Sequence, residues 1–257
     1  MINFRKSSLV FITLLAAMIV VRQQFSVPWY VFVILILAYL GLLVYGSINV
    51  ASNFYLPVIC YSQTDERKIA LSFDDGPVAA ATPRVLDMLG RENIPAAFFC
   101  IGKNIAGNEA IVQRILSEGH IIGNHSYSHH FFFDLFPALK MKADVLRMEA
   151  VLATFSGHRP LLFRPPYGVT TPVMRNVLKE TGYTAIGWSV RSMDTVIRDE
   201  QQLLQKIMKG LRPGALILLH DAGHCTLNIL PAFIAAARKE GYQFVRPDHL
   251  LNVLPYA

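Results

Sequence analysis

Two adjacent carboxylates, Asp74 and Asp75, stand at the end of an apolar alternating segment that begins at Ile69 and runs into Gly76-Pro77. Such a segment is typical of a β-strand, and α/β enzymes carry catalytic groups at the carboxyl ends of their strands. Neighbouring side chains project in different directions there, so one aspartate can bind a cation while the other accepts a proton. The alternative is an Asp-Gly turn that only closes the strand.

A pair of histidines follows another apolar segment. His125 and His129 are four residues apart in the stretch from Gly123 to His130. On a helical turn or in a tight loop this spacing lets both imidazoles face one ion, and two histidines with one carboxylate form a catalytic zinc set. His130 lies beside them, so the choice of ligands is open at this point. A His-x-x-x-His pair also occurs on protein surfaces without binding a metal.

Two further strand ends carry polar groups. Arg164 precedes Pro165-Pro166-Tyr167-Gly168, a rigid loop that would fix the arginine and present backbone N–H groups to a transition state. A proline-rich turn with a solvated arginine is the alternative. His220 and Asp221 end the apolar run Leu216–Leu219. A histidine in that position is suited to general-acid chemistry, or else is a structural histidine with its hydrogen bonds satisfied.

These groups need regular elements to position them. After residue 66, short apolar runs alternate with amphipathic ones, which predicts βα units and a parallel sheet. Thr82-Pro83 and Thr171-Pro172 each predict an N-cap threonine followed by a proline in the first turn of a helix, and Gly119, Gly182 and Gly241 are helix-end signals. The predicted strands are Ala70–Phe73, Ala96–Cys100, His120–Gly123, Leu161–Arg164, Thr184–Ser189, Ala215–Leu219 and Gln243–Val245. The pattern predicts an α/β fold, an irregular (β/α)7-type barrel, with an open doubly wound sheet as the alternative.

The N-terminal residues predict a membrane anchor over residues 1–55, with the catalytic domain over residues 56–257. Uncharged apolar runs cover residues 7–21 and 27–46, and only the second has the roughly 20 residues that span a bilayer. One or two transmembrane helices therefore precede the domain, and the stretch from Ser47 to Glu66 has the character of a linker. If only the second run spans, the domain is extracytoplasmic; a hairpin with its N-terminus inside makes the domain cytoplasmic.

Composition excludes several classes of function. The chain has 257 residues, 53% of them hydrophobic, and a formal net charge of +6, half of it from Arg5, Lys6 and Arg22 in the anchor. No cluster of basic residues indicates a nucleic-acid partner, and nothing indicates a protein partner. Cys60, Cys100 and Cys225 are widely spaced, which predicts neither a disulfide framework nor a thiolate zinc site.

The four motifs occur in chain order as Asp-Asp, His-x-x-x-His, Arg-x-Pro-Tyr and Leu-x-His. In this combination the chain resembles the polysaccharide deacetylase family, the NodB homology domain of carbohydrate esterase family four, over about residues 66–257. The resemblance implies that Asp75, His125 and His129 bind a divalent metal, usually zinc, and that His130 does not.

The resemblance also implies roles for the other motif residues. Asp74 would be the catalytic base, oriented by Arg164, and His220 would protonate the departing amine. The backbone N–H of Tyr167 would help to hold the oxyanion. Leu218 would line the pocket for the acetyl methyl group, and the substrate would also contact Pro166 and Tyr167.

One family motif is altered. The family commonly has an Asp-x-x-Asp-Trp-like element after a strand, where this chain has Arg191, Asp194 and Thr195 at the positions of the two acids and the tryptophan. Asp194 fits the second acid, which in the family holds the motif arginine or tunes the histidine. The missing aromatic wall predicts an unusual substrate rather than an inactive protein.

The resulting hypothesis is a membrane-anchored, metal-dependent hydrolase that removes N-acetyl groups from the amino sugars of a glycan such as peptidoglycan or a chitin-like polymer. One alternative keeps the chemistry and changes the substrate, to a lipid-linked sugar or an O-acetylated polysaccharide. Another alternative, of a different class, is a catalytically silent carbohydrate-binding protein.

Overall fold

A parallel β-sheet lies at the centre of the computed structural model, which describes residues 3–223 and 225–257. Its strands in these residues are β1 Lys68–Asp74, β2 Ala96–Cys100, β3 Ile121–Asn124, β4 Leu162–Phe163, β5 Thr184–Ala185, β6 Val190–Arg191, β7 Leu216–His220 and β8 Gln243–Phe244. The α-helices are α1 Phe4–Arg22, α2 Trp29–Ile48, α3 Thr82–Arg91, α4 Glu109–Ser117, α5 Ala138–Ser156, α6 Pro172–Thr181, α7 Glu200–Gly210, α8 Thr226–Lys239 and α9 Pro247–Leu251.

The sheet curls into an incomplete barrel. Its strand order is β5-β4-β3-β2-β1-β7-β6, and β8 pairs with the amino end of β1. The two outermost strands, β5 and β6, are only a few residues apart in the chain, so the opposite edges of the sheet must lie within roughly 20 Å of each other. Bridges from Ile59 to Ile186 and from Tyr61 to Ala215 lie at this gap. The predicted irregular barrel is confirmed, and the open doubly wound alternative is not supported.

Side chains along each strand alternate between the outer face of the sheet, which packs against helices, and the interior face of the barrel. In β1, Ile69, Leu71 and Phe73 pack outward against the helices, whereas Ala70 belongs to the interior cluster. Because side chains alternate with a period of two, Ser72 and Asp74 share the interior face with Ala70. The same parity places Leu218 and His220 inside on β7. The interior face of the barrel therefore presents polar side chains at its carboxyl end.

The predicted strands coincide with the observed ones, with one exception. Thr184–Ser189 was expected as a single strand, but β5 ends at Ala185 and a separate strand, β6, starts at Val190. Between them the chain crosses the gap of the barrel, where the Gly187 N–H donates to the Ile59 carbonyl. A side chain at Gly187 would collide with the Cys60 sulfur, so the crossing requires glycine.

The starts and ends of the helices are mostly as predicted. Thr171 caps α6 by accepting a hydrogen bond from the Met174 N–H, and Gly119, Gly182 and Gly241 all have a left-handed φ after helices. The assignment of Thr82 as an N-cap is wrong, because Thr82 is already helical and its hydroxyl donates to Asp221.

The two N-terminal helices are both long and apolar enough to cross a membrane. The first contains the predicted segment 7–21, and the second begins two residues inside the predicted segment 27–46 and contains the rest of it. The prediction of a linker over residues 47–66 is wrong, since Val50, Phe54, Tyr55, Leu56, Val58 and Cys60 are buried in a cluster with the domain. The division of the chain at residue 55 stays a prediction.

The end of α2 is fixed to the barrel. Ser47 exchanges hydrogen bonds with the backbone of Thr170, and the Thr170 hydroxyl donates to the Gly46 carbonyl. Gly46 itself lies so close to the Phe54 ring that a Cβ atom would fall 2.2 Å from it. The apolar helix pair therefore begins directly at the surface of the domain.

Candidate active site

The carboxyl ends of the strands surround one cleft of about 190 Å³. Its walls include seven of the predicted site residues, namely Asp74, Asp75, His125, His129, Tyr167, Leu218 and His220. Three others, Arg164, Asp194 and Pro166, are buried. The structure therefore brings together residues that are up to about 150 positions apart in the sequence.

Asp75, His125 and His129 form a cluster suited to a metal ion, with ligand atoms that all lie within 4.8 Å of one another. The Asp75 Oδ1 atom is 3.6 Å from His125 Nε2 and 3.4 Å from His129 Nε2. Ligand atoms about 2.0–2.2 Å from a tetrahedral ion are separated by roughly 3.3–3.6 Å, so these spacings fit zinc-sized coordination. Asp75 Oδ1 is buried without a hydrogen-bond partner among the described residues, as expected of an atom reserved for a cation.

Both histidines of the cluster are held in the neutral form. His125 Nδ1 lies 2.8 Å from the Arg164 carbonyl and donates to it, which leaves Nε2 unprotonated and directed at Asp75. Burial lowers the pKa of His125 to about 3 and also lowers that of His129. Both imidazoles are therefore available for a metal at neutral pH. His130 is exposed and outside the cluster, with its Nδ1 accepting from the Phe132 N–H.

Asp74 has a different environment from Asp75. Its Oδ1 accepts a hydrogen bond of 2.7 Å from Arg164 Nη1, while its Oδ2 lies 3.8 Å from His125 Nε2. Burial raises the pKa of Asp74, and the charge of Arg164 opposes this rise. Asp74 is therefore a carboxylate with one oxygen fixed and one facing the cleft.

Arg164 is not the solvated arginine of a turn. Its side chain is fully buried with the guanidinium over the Phe99 ring, and it donates to Ser72, Asp74 and the carbonyls of Ile186 and Gly187. This accounts for the orientation of Asp74, since a buried guanidinium needs both its charge and its donors satisfied.

His220 pairs with Asp194. The carboxylate accepts from the His220 backbone N–H and from Nδ1, each at 2.7 Å, and from Thr226 and Ser192. Burial lowers the pKa of His220, but the hydrogen bond and charge of Asp194 outweigh this and raise it overall. Burial raises the pKa of Asp194, but the hydrogen bond and charge of His220 outweigh this and lower it overall. The resemblance implies that this acid either holds the motif arginine or tunes the histidine. Asp194 contacts His220, which supports the second role.

The loop after β4 forms another wall. Tyr167 has a left-handed backbone with φ 58°, and its N–H donates to no backbone carbonyl in residues 3–223 and 225–257. Its ring lies 4.7 Å from the His129 ring, between centroids, and the preceding residue, Pro166, is buried. The loop thus leaves a backbone donor unused beside the candidate metal site.

The altered motif also reaches the cleft. Arg191 and Thr195, which replace an acid and a tryptophan of the family pattern, are both exposed and line the opening. Asp194, between them in sequence, is buried beneath the surface.

Several supporting residues have no signal in the sequence. Asp144, on α5, accepts from the N–H groups of Tyr127 and Ser128 and so shapes the loop between the two histidines. Asn124 accepts from the Ser126 N–H. Their partners lie in other elements or depend on loop geometry, so only the fold reveals them. Ser72 and Thr226 are of the same kind.

Comparisons with known proteins agree with this geometry. Residues 61–186 match the family described as polysaccharide deacetylase. A peptidoglycan-N-acetylglucosamine deacetylase of Listeria monocytogenes, PgdA, is 34% identical over 205 residues, which are 77% of this chain and 42% of the relative. The peptidoglycan-N-acetylmuramic acid deacetylase PdaA of Bacillus subtilis is 31% identical over 202 residues, 77% of this chain and 74% of PdaA.

Among solved structures, the Bc1960 peptidoglycan N-acetylglucosamine deacetylase superposes with a TM-score of 0.74 at 28% sequence identity. The match covers 78% of this chain and 95% of that structure. The chain spans less than half the length of the Listeria relative.

The Asp194–His220 pair generates a prediction. Replacing Asp194 with Asn removes the negative charge that stabilises the imidazolium, so we expect the pKa of His220 to fall below its value in the parent protein. Histidine resonances followed by NMR against pH measure this change. The exposed substitution Asp65→Asn is the control, and an unchanged pKa for His220 in Asp194→Asn contradicts the assignment.

Proposed function

This chain belongs to the polysaccharide deacetylase family, and on that premise we propose that it hydrolyses the N-acetyl groups of amino sugars in a peptidoglycan-type glycan. The observation that carries the proposal is the convergence of a triad suited to a metal ion, a separately held carboxylate and an ion-paired histidine on one cleft. A protein that only bound glycans would not need all three together.

We propose that Asp75, His125 and His129 hold a divalent cation, most simply zinc. The donor set of two imidazoles and one carboxylate supports this, because it is typical of catalytic zinc sites that leave a coordination position open. Such an ion supplies Lewis-acid polarisation of a carbonyl group and lowers the pKa of a water molecule.

Asp74 is the proposed general base. Arg164 fixes one of its oxygens, so the other is held in the cleft within reach of a water directed at the substrate carbonyl. A carboxylate whose pKa is raised by burial accepts a proton more readily than an exposed one. Asp74 thus takes the proton of the attacking water, and Asp75 is left for the cation.

His220 is the proposed general acid. Asp194 keeps its imidazole protonated to a higher pH than usual and holds its orientation through Nδ1, which leaves Nε2 to give a proton to the departing amine. The Tyr167 N–H is the proposed donor to the oxygen on which negative charge develops, which its lack of a backbone acceptor among the described residues supports. Leu218, which lines the cleft, supplies the apolar surface proposed for the acetyl methyl group, whereas Pro166 is buried and does not line the cleft.

We further propose that α1 and α2 are a membrane anchor and that residues 56–257 form the catalytic domain. Both helices are apolar on all sides, with Leu9 and Leu37 each more than half exposed, which suits lipid better than water. They run antiparallel, so the N-terminus and the domain lie at the same end of the pair and, with both helices spanning, on the same side of the membrane.

The proposal predicts acetate release from N-acetylglucosamine oligomers or peptidoglycan by the full-length protein. A chelator should abolish the release and zinc should restore it, because the cation supplies the polarisation described above. His220→Asn should lower kcat by about 10²- to 10⁴-fold, the usual contribution of a general acid.

The matched control for this prediction is His249→Asn, an exposed histidine on α9, which should leave kcat unchanged. Full activity in chelator, or a fully active His220→Asn variant, would count against the proposed mechanism.

A further inference from the structure

We propose that Arg191 forms an anion-binding subsite that selects N-acyl amino sugars bearing a carboxylate or phosphate on a carbon next to the acylamino carbon. This inference rests on the proposed deacetylase function and names the substrate class for the same cleft.

Arg191 stands beside the proposed acyl pocket. It is the last residue of β6 and pairs in register with Leu218 of β7. Paired residues on neighbouring strands are about 5 Å apart, and both residues line the cleft together with Asp74 and His220. A group bound near Leu218 is therefore within reach of the guanidinium.

The guanidinium of Arg191 is unpaired. Within residues 3–223 and 225–257 it makes no ion pair and no hydrogen bond, and its Cζ atom lies over the Trp188 ring, 5.8 Å from the centroid. The acidic groups of the site already have other partners or the proposed cation. Arg164 holds Asp74, His220 holds Asp194, and Asp75 faces the metal cluster. An exposed arginine with five donors therefore lines the cleft without a counter-ion.

The chemistry of amino sugars supplies a counter-ion at the right place. The acylamino group is on C2, and its neighbours C1 and C3 are the carbons that carry the phosphate of a sugar phosphate and the lactyl carboxylate of muramic acid. With the acetyl group beside Leu218, either anion lies close to Arg191. The planar guanidinium binds carboxylate or phosphate through two parallel hydrogen bonds, which a lysine cannot reproduce.

Binding measurements test the subsite independently of turnover. In a His220→Asn background, which slows cleavage, calorimetry compares a glycan containing N-acetylmuramic acid, N-acetylglucosamine 1-phosphate and a neutral N-acetylglucosamine oligomer. Adding Arg191→Gln should weaken binding of an anionic ligand by roughly 10- to 100-fold, the loss expected for a charged hydrogen-bonded contact. Binding of the neutral oligomer should not change, and Arg191→Lys should recover only part of the loss.

Arg91→Gln is the matched control, an exposed arginine at the end of α3 that lies toward the amino end of the strands. The anionic ligand whose binding is weakened by Arg191→Gln shows whether the subsite binds a carboxylate or a phosphate. Equal losses for neutral and anionic ligands, or none for either anion, overturn the subsite. If the parent protein releases no acetate while the charge-dependent binding persists, the deacetylase proposal fails and the subsite stands.

A second observation, independent of the first, concerns the segment after His129. We propose that Phe131, Phe132, Leu135 and Leu139, here called the interfacial patch, lie in the lipid interface beside the anchor. Phe131, Leu135 and Leu139 are 71%, 70% and 85% exposed. Single exposed apolar residues are common, but four within nine consecutive residues, with the Phe131 and Phe132 rings 4.9 Å apart between centroids, mark an interaction surface.

The helix pair indicates which partner covers the patch. Phe133 and Phe136, on the buried side of the same segment, belong to the hydrophobic cluster against which Phe4, Leu42 and Leu43 of the apolar helices pack. Phe131 also lies 6.0 Å from the Tyr167 ring, between centroids, and three residues later Thr170 bonds to the end of α2. The patch is thus continuous with the proposed anchor, so the partner is a bilayer surface rather than a second protein.

Tryptophan quenching by brominated lipids tests this placement in the full-length protein, reconstituted in phosphatidylcholine–phosphatidylglycerol vesicles. In a Trp29→Phe background, the fluorescence of the tryptophan introduced by Leu139→Trp should be quenched by lipids brominated near the headgroup. Leu254→Trp should not, because Leu254 is 74% exposed and follows α9, whose Leu250 and Leu251 pack in the interior cluster with Ala70 near the amino end of β1.

The difference between the parent and Trp29→Phe reports Trp29, which should be quenched where the anchor is inserted. Quenching of Trp29 without quenching of Leu139→Trp overturns the interfacial patch alone. An unquenched Trp29 overturns the anchor, and the patch proposal with it.

Discussion

The buried ion pair between Arg164 and Asp74 is the interaction on which the rest of the site depends. It joins β4 to β1 across the interior of the barrel, and the other guanidinium donors bind the carbonyls of Ile186 and Gly187 at the gap of the sheet. The Arg164 carbonyl also accepts from His125, so one residue orients both the proposed base and a proposed metal ligand. Removing either partner would leave a buried charge unpaired, a loss of about 3–5 kcal/mol.

This arrangement also separates two carboxylates that are neighbours in sequence. Asp74 shares the interior face of β1 with Ser72 and is held by Arg164, whereas Asp75 lies just beyond the strand with a left-handed φ of 73° and turns toward the histidines. His129, Tyr167 and Met193 also have positive φ and line the same cleft, and Ser126, in the loop between the two histidines, has a positive φ as well. Non-glycine residues adopt this conformation at a cost of about 1–3 kcal/mol, which the surrounding hydrogen bonds must offset.

Much of the fold was predictable because strand alternation and glycine or proline signals are local. The sequence predicted every long strand and the start of α6, and the resemblance named the residues that converge on the cleft. The split of β5 from β6 was missed because closure of the barrel, not local propensity, decides where that strand breaks. The burial of Phe54 and Tyr55 was missed because their partners are on α1, α2 and the helices of the barrel. Asp144 was missed because it acts on a loop 16 residues earlier in the chain.

The central claim is that Asp75 binds a cation while Asp74, beside it, serves as the base. Calorimetric titration of zinc into metal-free Asp74→Asn and Asp75→Asn proteins, with acetate release measured on the same samples, tests it most directly. Asp74→Asn should bind zinc about as tightly as the parent protein and lack activity. Asp75→Asn should lose more affinity than the roughly 10- to 100-fold that removal of an outer hydrogen-bond partner costs. Equal losses of zinc affinity in the two variants, or an active Asp74→Asn protein, would contradict the account.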